Sequence, residues 1–233
     1  MIPVLALPIL NRYDLAAGME ASVDHPVGRY YVVDNGGEYP EDRPFAAGAR
    51  HVCRPGHNLG VAASWNLTIK ANPLAPWWLF VNSDAVFGPG DLERLAEHMD
   101  SRTGPAVASL LDPPMFYSAF AVNAAAIEAV GLWDESYHPC YCEDSDWQAR
   151  AARIGGVDLA RVRSTAGNAE GGSVTIREPG TDNGRTYPEN VRYHIAKWGG
   201  PPWHEQYGTP WNLGGDLDVS EQPALSRLRA QAW

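Results

Sequence analysis

The sequence predicts an α/β fold with a mixed, mostly parallel sheet flanked by helices, and three observations support this. Strand-like and helix-like segments alternate up to about residue 125, the pattern that places helices on both faces of a parallel sheet. Residues 77–87 form an apolar run broken by Asn82-Ser83-Asp84, as when a buried strand delivers an acid to the sheet edge where open α/β proteins bind ligands. A content of 45% hydrophobic and 20% charged residues over 233 positions describes a globular chain long enough for a full core.

Residues 4–8 open the first strand, and LAAGMEAS follows as a helix capped by Asn11 or Asp14, whose side chains accept from first-turn amides. Residues 30–34 make a second strand, closed by Asn35-Gly36-Gly37, a turn whose glycines supply positive φ. After a short region ending at residues 51–54, Gly56 and Gly60 flank His57 and Asn58 in a loop feeding an Ala-rich helix. Free amides at such a helix start suit anions. Trp77 and Trp78 lead the third strand as packing residues.

Behind Pro89 and Asp91, the residues Leu92, Leu95, Ala96 and Met99 recur at helical spacing and mark a scaffold helix. Segments 106–111 and 116–122 have strand character, and NAAAIEAVG is a short helix stopped by Gly131. CEDSDW begins a further helix with Trp147, Ala151 and Ile154 as its apolar stripe. The polar stretch 163–185 is expected to be a mobile loop, usable as a lid. Beyond Trp198, the Gly- and Pro-rich aromatic segment cannot continue as a regular helix, so it should wrap the domain or line an acceptor groove.

A formal net charge of −10 argues against sequence-independent nucleic-acid binding, which needs many Lys and Arg on phosphates. The N-terminal apolar stretch 2–10 contains Pro3 and Pro8, lacks a basic leader and is far short of the ~20 residues of a spanning helix. A cytoplasmic, unanchored protein is therefore expected. Cys53, Cys140 and Cys142 are an odd set; with no second ligand pair near His138 to Cys142, they are expected to be reduced structural thiols rather than a zinc site.

Taken in order, VVDNGG, NLGVAASWN, FVNSD and VGLWDESYHPCYCEDSDWQARAARIG resemble the landmarks of a GT-A glycosyltransferase of the family 2 type, over roughly residues 2 to 156. The resemblance implies a GT-A-type, Rossmann-like nucleotide-binding sheet. It also implies transfer of a sugar from a nucleotide-sugar to an acceptor hydroxyl, with inversion and with Mn or Mg as cofactor. The implied organisation is a catalytic domain over 1–200, with a nucleotide-binding half to about residue 88 and an acceptor half after it. An aromatic, Pro-rich tail over 201–233 packs on that domain. A compact, unanchored chain of this kind fits a bacterial or bacteriophage origin.

By position, the resemblance makes Asp34 a reader of nucleobase or ribose, with Pro8, Asn11, Asn35, Asn58, Gly60 and Asn66 in the donor-binding set. Asn82-Ser83-Asp84 stands where the family often has Asp-x-Asp. Asp84 then holds the metal, with Asn82 and Ser83 on the donor side. Asn82 offers a neutral amide oxygen, so a single carboxylate anchors the ion, and diphosphate oxygens and water complete its shell. His194 is a second metal candidate, and Lys197 a candidate diphosphate contact.

Asp144 is the implied general base, with Glu143 as substitute, because a carboxylate within reach of the acceptor hydroxyl can take its proton. An ordinary account also fits: acids are common in a helix's first turn as caps, and Asp84 would serve as a cap to the turn at Gly88-Pro89-Gly90. Three acids in the run Glu143 to Asp146 exceed what a cap needs, and their repulsion raises a proton affinity. Trp133, Asp146 and Trp198 are the expected acceptor-side residues, with Trp203 and Trp211 as further flat platforms for a sugar; Asp134 and Glu135 are expected to form a turn.

Two other functions compete. A sugar nucleotidyltransferase also needs a nucleotide fold, a metal and acids, but LPILNRYD offers Arg12 without a glycine cluster. A non-catalytic carbohydrate-binding protein of the same fold would account for Asn82 and the aromatic tail. The acceptor (glycan, lipid carrier, protein or modified nucleic acid) and the oligomeric state stay open.

Overall fold

A computed structural model of the chain describes residues 1–172, 177–178, 183–215 and 229. Strand β1 (Ile2–Ile9) is interior to the sheet, hydrogen-bonded in parallel to β2 (Val27–Asp34) on one side and to the central strand β4 (Trp77–Val81) on the other. Strands covered on both faces read as near-continuous apolar runs, as β1 and β4 do. Outside these come β3 (Ala47–Cys53), β6 (Ala106–Ser109), β7 (Ala119–Asn123) and β8 (Asp158–Arg161), in the order β3-β2-β1-β4-β7-β6-β8. Only β7 runs against the others. The mixed, mostly parallel sheet expected from the sequence is therefore present.

Alternation along the strands splits the core into two layers. On one face Leu5, Leu7, Trp77, Leu79 and Val81 meet Met19 of α1 (Tyr13–Ala21) and Leu92, Leu95 and Met99 of α3 (Asp91–Asp100). On the other face Val4, Ala6, Trp78 and Phe80 pack with α2 (Val61–Ala71), α4 (Ala124–Val130) and α5 (Glu143–Ile154), which contribute Trp65, Ile69, Ile127, Val130 and Trp147. Adjacent Trp77 and Trp78 thus serve opposite layers, both buried.

Because β7 is antiparallel, Val81 at the end of β4 pairs with Ala119 at the start of β7. The C-terminal ends of β1, β2, β4 and β6 and the entry to β7 therefore share one sheet edge. β5 (Ala85–Val86) follows at that edge, paired antiparallel with β9 (Gly167–Asn168). Helix α6 (Asn183–Trp198) covers α5, and the chain then folds back: Gln206 N and Tyr207 N donate to Trp198 O, and Arg153 Nε donates to Tyr207 O.

Several local expectations are corrected. Helix α1 begins after Arg12, in the left-handed region at φ 52 with no side-chain cap, so neither Asn11 nor Asp14 is the cap; Asp14 instead accepts from the Arg12 guanidinium. In the glycine turn only Gly37 has positive φ, at 84°. Gly36 is needed for another reason: a Cβ there would lie 2.0 Å from Leu10 O. Residues 116–118 form a 3₁₀ turn rather than the start of a strand. Edge strands β3 and β8 are half-exposed and lack the apolar run that announces a strand.

The stretch 163–185 is not one loop, since β9 and the first turn of α6 lie within it; residues 173–176 and 179–182 fall outside the described residues, as do 216–228 and 230–233 of the tail. Tyr141 and Cys142 sit in left-handed turns rather than in a strand, and all three cysteines are free. No described helix is long and apolar enough to cross a membrane.

Candidate active site at the sheet edge

The end of β4 is tied down before it reaches Asp84. Asn82 N donates to Ser118 O at 2.8 Å, and Ala85 N closes back on Asn82 O at 3.1 Å. Asp84 is only 3% exposed. Its Oδ1 accepts from Asn168 Nδ2 at 3.1 Å, and its backbone carbonyl accepts from Ala169 N at 2.7 Å, both from the β9 strap. Its Oδ2 is buried and has no hydrogen-bond partner. Burial pushes this carboxyl up, partly offset by the Asn168 amide.

A buried carboxylate oxygen left without a donor is costly unless something else satisfies it, and a hard divalent cation is a chemical fit for such an oxygen. Asp84 would hold it through Oδ2. Among the described residues no group of three or more His, Cys, Asp or Glu is placed to bind a metal. Nucleotide oxygens and water would thus have to supply most of the coordination shell.

The second acidic centre is the first turn of α5. Glu143 is 5% exposed with Oε2 unpartnered, and Asp144, half-buried, accepts from Ser145 N at 2.8 Å. Burial holds the Glu143 carboxyl well above the ordinary range, and the adjacent Asp144 charge adds to this. Asp144 is also pushed up by burial, with opposing pulls from the Ser145 amide and, more weakly, His194.

Tyr117 connects the two centres. It precedes Ser118, whose carbonyl holds Asn82, while its hydroxyl lies 3.5 Å from Gln148 Oε1 on α5. Burial, then the charge of Asp144, push its phenol up. Both acids therefore belong to one sheet edge.

Other residues singled out from sequence turn out to be committed elsewhere. Trp133 and Trp198 are buried, Trp133 stacked on Trp147 at 5.4 Å between ring centroids and Trp198 donating Nε1 to Asp146 Oδ1 at 2.8 Å. Neither offers a face to a sugar, so the acceptor-platform expectation is corrected for both. Asp146, 0% exposed, is held by Trp198, by Arg150 Nε at 3.1 Å and by Lys197 Nζ at 2.6 Å, and cannot touch an acceptor.

Lys197 also reaches Asp134 Oδ2 at 2.7 Å; burial alone would raise the Asp134 carboxyl, but the ammonium, helped by the Ser136 amide, outweighs it and holds it down at about 2. This Lys closes a buried ion-pair cluster instead of waiting for a diphosphate, and Asp134 is its anchor rather than a mere turn former. His194 is fully buried, with Nδ1 3.0 Å from Tyr137 Oη and Nε2 2.9 Å from Glu205 Oε1. With both ring nitrogens engaged, it has none to offer a metal in this arrangement.

At the C-terminal end of β2, Asp34 is buried and receives Tyr13 Oη, Gly37 N, Tyr39 N and Arg54 Nε at 2.8–3.1 Å, so a base or ribose donor would have to replace one of these. Asn35 accepts from Leu59 N and donates to Ser64 Oγ; Asn58 Oδ1 accepts from Gly60 N. Asn66 is buried and clamps Trp133 N and O together with Glu135, a structural role that removes it from a donor-binding surface. A Cβ at Gly60, where φ is 80°, would meet Pro139 O at 2.7 Å. Pro8 sits in β1 opposite Val33, half-buried like Asn11, and Ser83 is buried beside Asp84.

Three contacts at this edge were not foreseen: Asn168 on Asp84, Tyr117 beside Asp144, and Arg12, which grips both Glu170 oxygens at 3.0 and 3.1 Å and so ties the segment after β9 to the end of β1. The first and last cross more than 80 and 150 residues of chain, so no local pattern announces them. A cavity of about 430 Å³, lined by Trp77, Asp100, Arg102, Asn123, Glu128 and Arg229, lies at the opposite sheet edge.

No protein-family model and no curated protein matches the sequence. Solved structures do. Glucosyl-3-phosphoglycerate synthase from Mycobacterium tuberculosis, in complex with Mn2+, UDP and glucosyl-3-phosphoglycerate, aligns with 97% of this chain and 91% of its own, at 14% identity and a TM-score of 0.53. The chain has the GT-A fold. The mannosyltransferase PcManGT from Pyrobaculum calidifontis, in complex with GDP-Man and Mn2+, aligns with 70% of the chain at 16% identity and a TM-score of 0.50, and this chain spans 55% of its length. Identities this low establish the GT-A architecture and nothing finer.

Proposed function

We propose that this protein transfers a sugar from a nucleotide-sugar to an acceptor hydroxyl, with inversion and with help from a divalent cation. The observation that carries the reading is the pair of buried acidic centres, each with an unpartnered oxygen (Asp84 Oδ2 and Glu143 Oε2), at one C-terminal edge of a GT-A sheet. Solved proteins of this fold are described with GDP-Man or UDP and with Mn2+ or Mg2+, and Mn or Mg is the ion we assign here.

Asp84 would hold that ion, and Asn82 and Ser83 would lie on the donor side. When bound, such an ion offsets charge on a departing diphosphate. Asp144 accepts the acceptor hydroxyl's proton as the new glycosidic bond forms. Neighbouring Glu143, kept protonated by burial, lets Asp144 remain the ionised member of the pair, because two adjacent carboxyls do not both ionise easily. The raised proton affinity of Asp144 makes it a stronger base than an ordinary carboxylate.

Incubating the protein with Mn2+ and a panel of nucleotide sugars should release nucleoside diphosphate. Asp144→Asn should abolish turnover while nucleotide binding persists, whereas Asp84→Ala should weaken Mn-dependent nucleotide binding as well. Carbohydrate binding indifferent to nucleotide and Mn2+ would instead identify a non-catalytic sugar-binding protein, and pyrophosphate release from a nucleoside triphosphate and a sugar phosphate would identify a nucleotidyltransferase.

A further inference from the structure

Three consecutive residues span the gap between two strand ends. After β9, Asn168 Nδ2 donates to Asp84 Oδ1 at 3.1 Å and Ala169 N to Asp84 O at 2.7 Å, whereas Glu170 accepts from the Arg12 guanidinium at 3.0 and 3.1 Å. β1 and β4 are parallel neighbours, Ala6 level with Phe80, so the chain leaves β1 toward Arg12 and β4 toward Asp84 at adjacent points of one edge. The strap 168–170 crosses that edge from one to the other.

Its hold is polar rather than packed. No residue of the 3₁₀ turn Ala169–Gly171 is buried. Arg12 and Glu170 have left-handed backbones, at φ 52 and 53, which residues other than glycine keep only where their surroundings impose it. The side chains of the pair are 19% and 54% exposed, and exposed ion pairs are weak. Asp14 and Glu178 also lie against Arg12, at 2.9 and 3.4 Å, so three carboxylates surround one guanidinium.

At the other foot of the strap, Asp84 is 3% exposed with Oδ2 unpartnered, an unfavourable feature of the closed arrangement. After burial and the Asn168 amide, the charges that act on the Asp84 carboxyl are those of Arg177 and Glu170, which places both within electrostatic reach of it. Arg177 Nη1 also donates to Glu170 O at 3.4 Å.

We propose that Glu170 stands in for a nucleotide's diphosphate on Arg12, making the strap 168–170 an autoinhibitory contact that the donor displaces. This rests on the glycosyl-transfer reading and deepens it by assigning Arg12 to the diphosphate. A guanidinium binds carboxylate and phosphate through the same fork of N–H donors, so one anion excludes the other. With Glu170 in place, the acids around Arg12 outnumber it and repel a polyanion. When Glu170 withdraws, Asn168 and Ala169 leave with it, being its neighbours in the chain, and Asp84 is uncovered for an ion that the same diphosphate would share.

The test titrates Mn2+ with UDP or GDP by calorimetry and follows hydrogen–deuterium exchange at the Ala169 amide. At least one nucleotide should bind and speed that exchange. Glu170→Gln should tighten nucleotide affinity by about two- to fivefold, since a larger fraction of the protein is then open, and should speed Ala169 exchange before any nucleotide is added. Arg12→Asn, which tolerates the left-handed backbone and breaks the same ion pair, should act in the opposite direction and weaken affinity by about tenfold, the scale of a charged hydrogen bond.

A nucleotide that binds while Ala169 exchange slows or holds steady would overturn the strap. So would Glu170→Gln without a gain in affinity, or Arg12→Asn that tightens binding as Glu170→Gln does. Failure of both nucleotides to bind either the wild type or Glu170→Gln would bring down the transferase reading itself.

Discussion

Glu143 places a carboxyl in the interior with one oxygen unmet, and its proton affinity is raised by burial and then by Asp144. The folded state therefore binds this proton more tightly than the unfolded chain. Stability from the protonated group is fully present below the unfolded carboxylate range and is lost as pH rises through the folded value. Wild-type melting temperature should fall as pH rises above the ordinary carboxylate range, and Glu143→Gln, neutral at every pH, should flatten that slope. An unchanged slope would show that Glu143 is not the buried proton carrier. Asp144 follows the same direction, so turnover should climb with pH as this base ionises, a limb that a pH–rate profile would reveal and that Asp144→Asn would remove with the activity.

At the scale of elements, the loop 138–142 is held between α2 and α6. Val61 N donates to Pro139 O at 2.7 Å, His138 Nε2 lies 3.0 Å from Asn58 O, and Asn190 holds the other end. Gly60 permits the close approach, since its positive φ and its 2.7 Å clearance to Pro139 O leave no room for a side chain. Gly60→Ala should cost more than the ~1 kcal/mol of an ordinary glycine replacement. It should also reduce turnover by shifting the turn that feeds Asp144, which denaturant melts and a parallel activity assay would separate. A neutral effect would mean that this contact gives way easily.

The whole molecule is joined across its second half by charge inside the core. Lys197 binds Asp134 and Asp146, Arg150 also binds Asp146, and rings of Tyr137, Tyr193 and Trp198 surround the ammonium within 6 Å. Removing Lys197 leaves Arg150 alone against two carboxylates, and an uncompensated buried charge typically costs about 3–5 kcal/mol. Lys197→Met should therefore destabilise the protein on that scale by chemical denaturation. If Lys197 were instead a surface contact for a diphosphate, the same change would leave stability nearly intact and weaken nucleotide binding alone.

Features set by neighbours in the chain were legible in the sequence. The apolar runs of β1 and β4, the stripe of Leu92, Leu95 and Met99, the stop at Gly131, and Asp84 placed just after β4 all follow from local periodicity and turn chemistry. The GT-A fold class was implied by the resemblance of the ordered landmarks VVDNGG, NLGVAASWN, FVNSD and CEDSDW to a known family, not by periodicity, and the structure has that fold. Edge strands β3 and β8 escaped, since their pairing depends on a neighbour rather than on their own apolarity.

Only the tertiary structure decided how polar and aromatic side chains are spent. Trp133, Trp198, Asp146, Lys197 and His194 resemble binding residues in isolation, yet each is buried and bonded to groups far away in sequence or on another element. Asn168 reached Asp84, and Tyr187 reached Tyr141, by the same route. Backbone conformation follows from short-range sterics, whereas a hydrogen-bond partner follows from where the folded chain returns; the amino-acid order encodes the first directly and the second only through the completed fold.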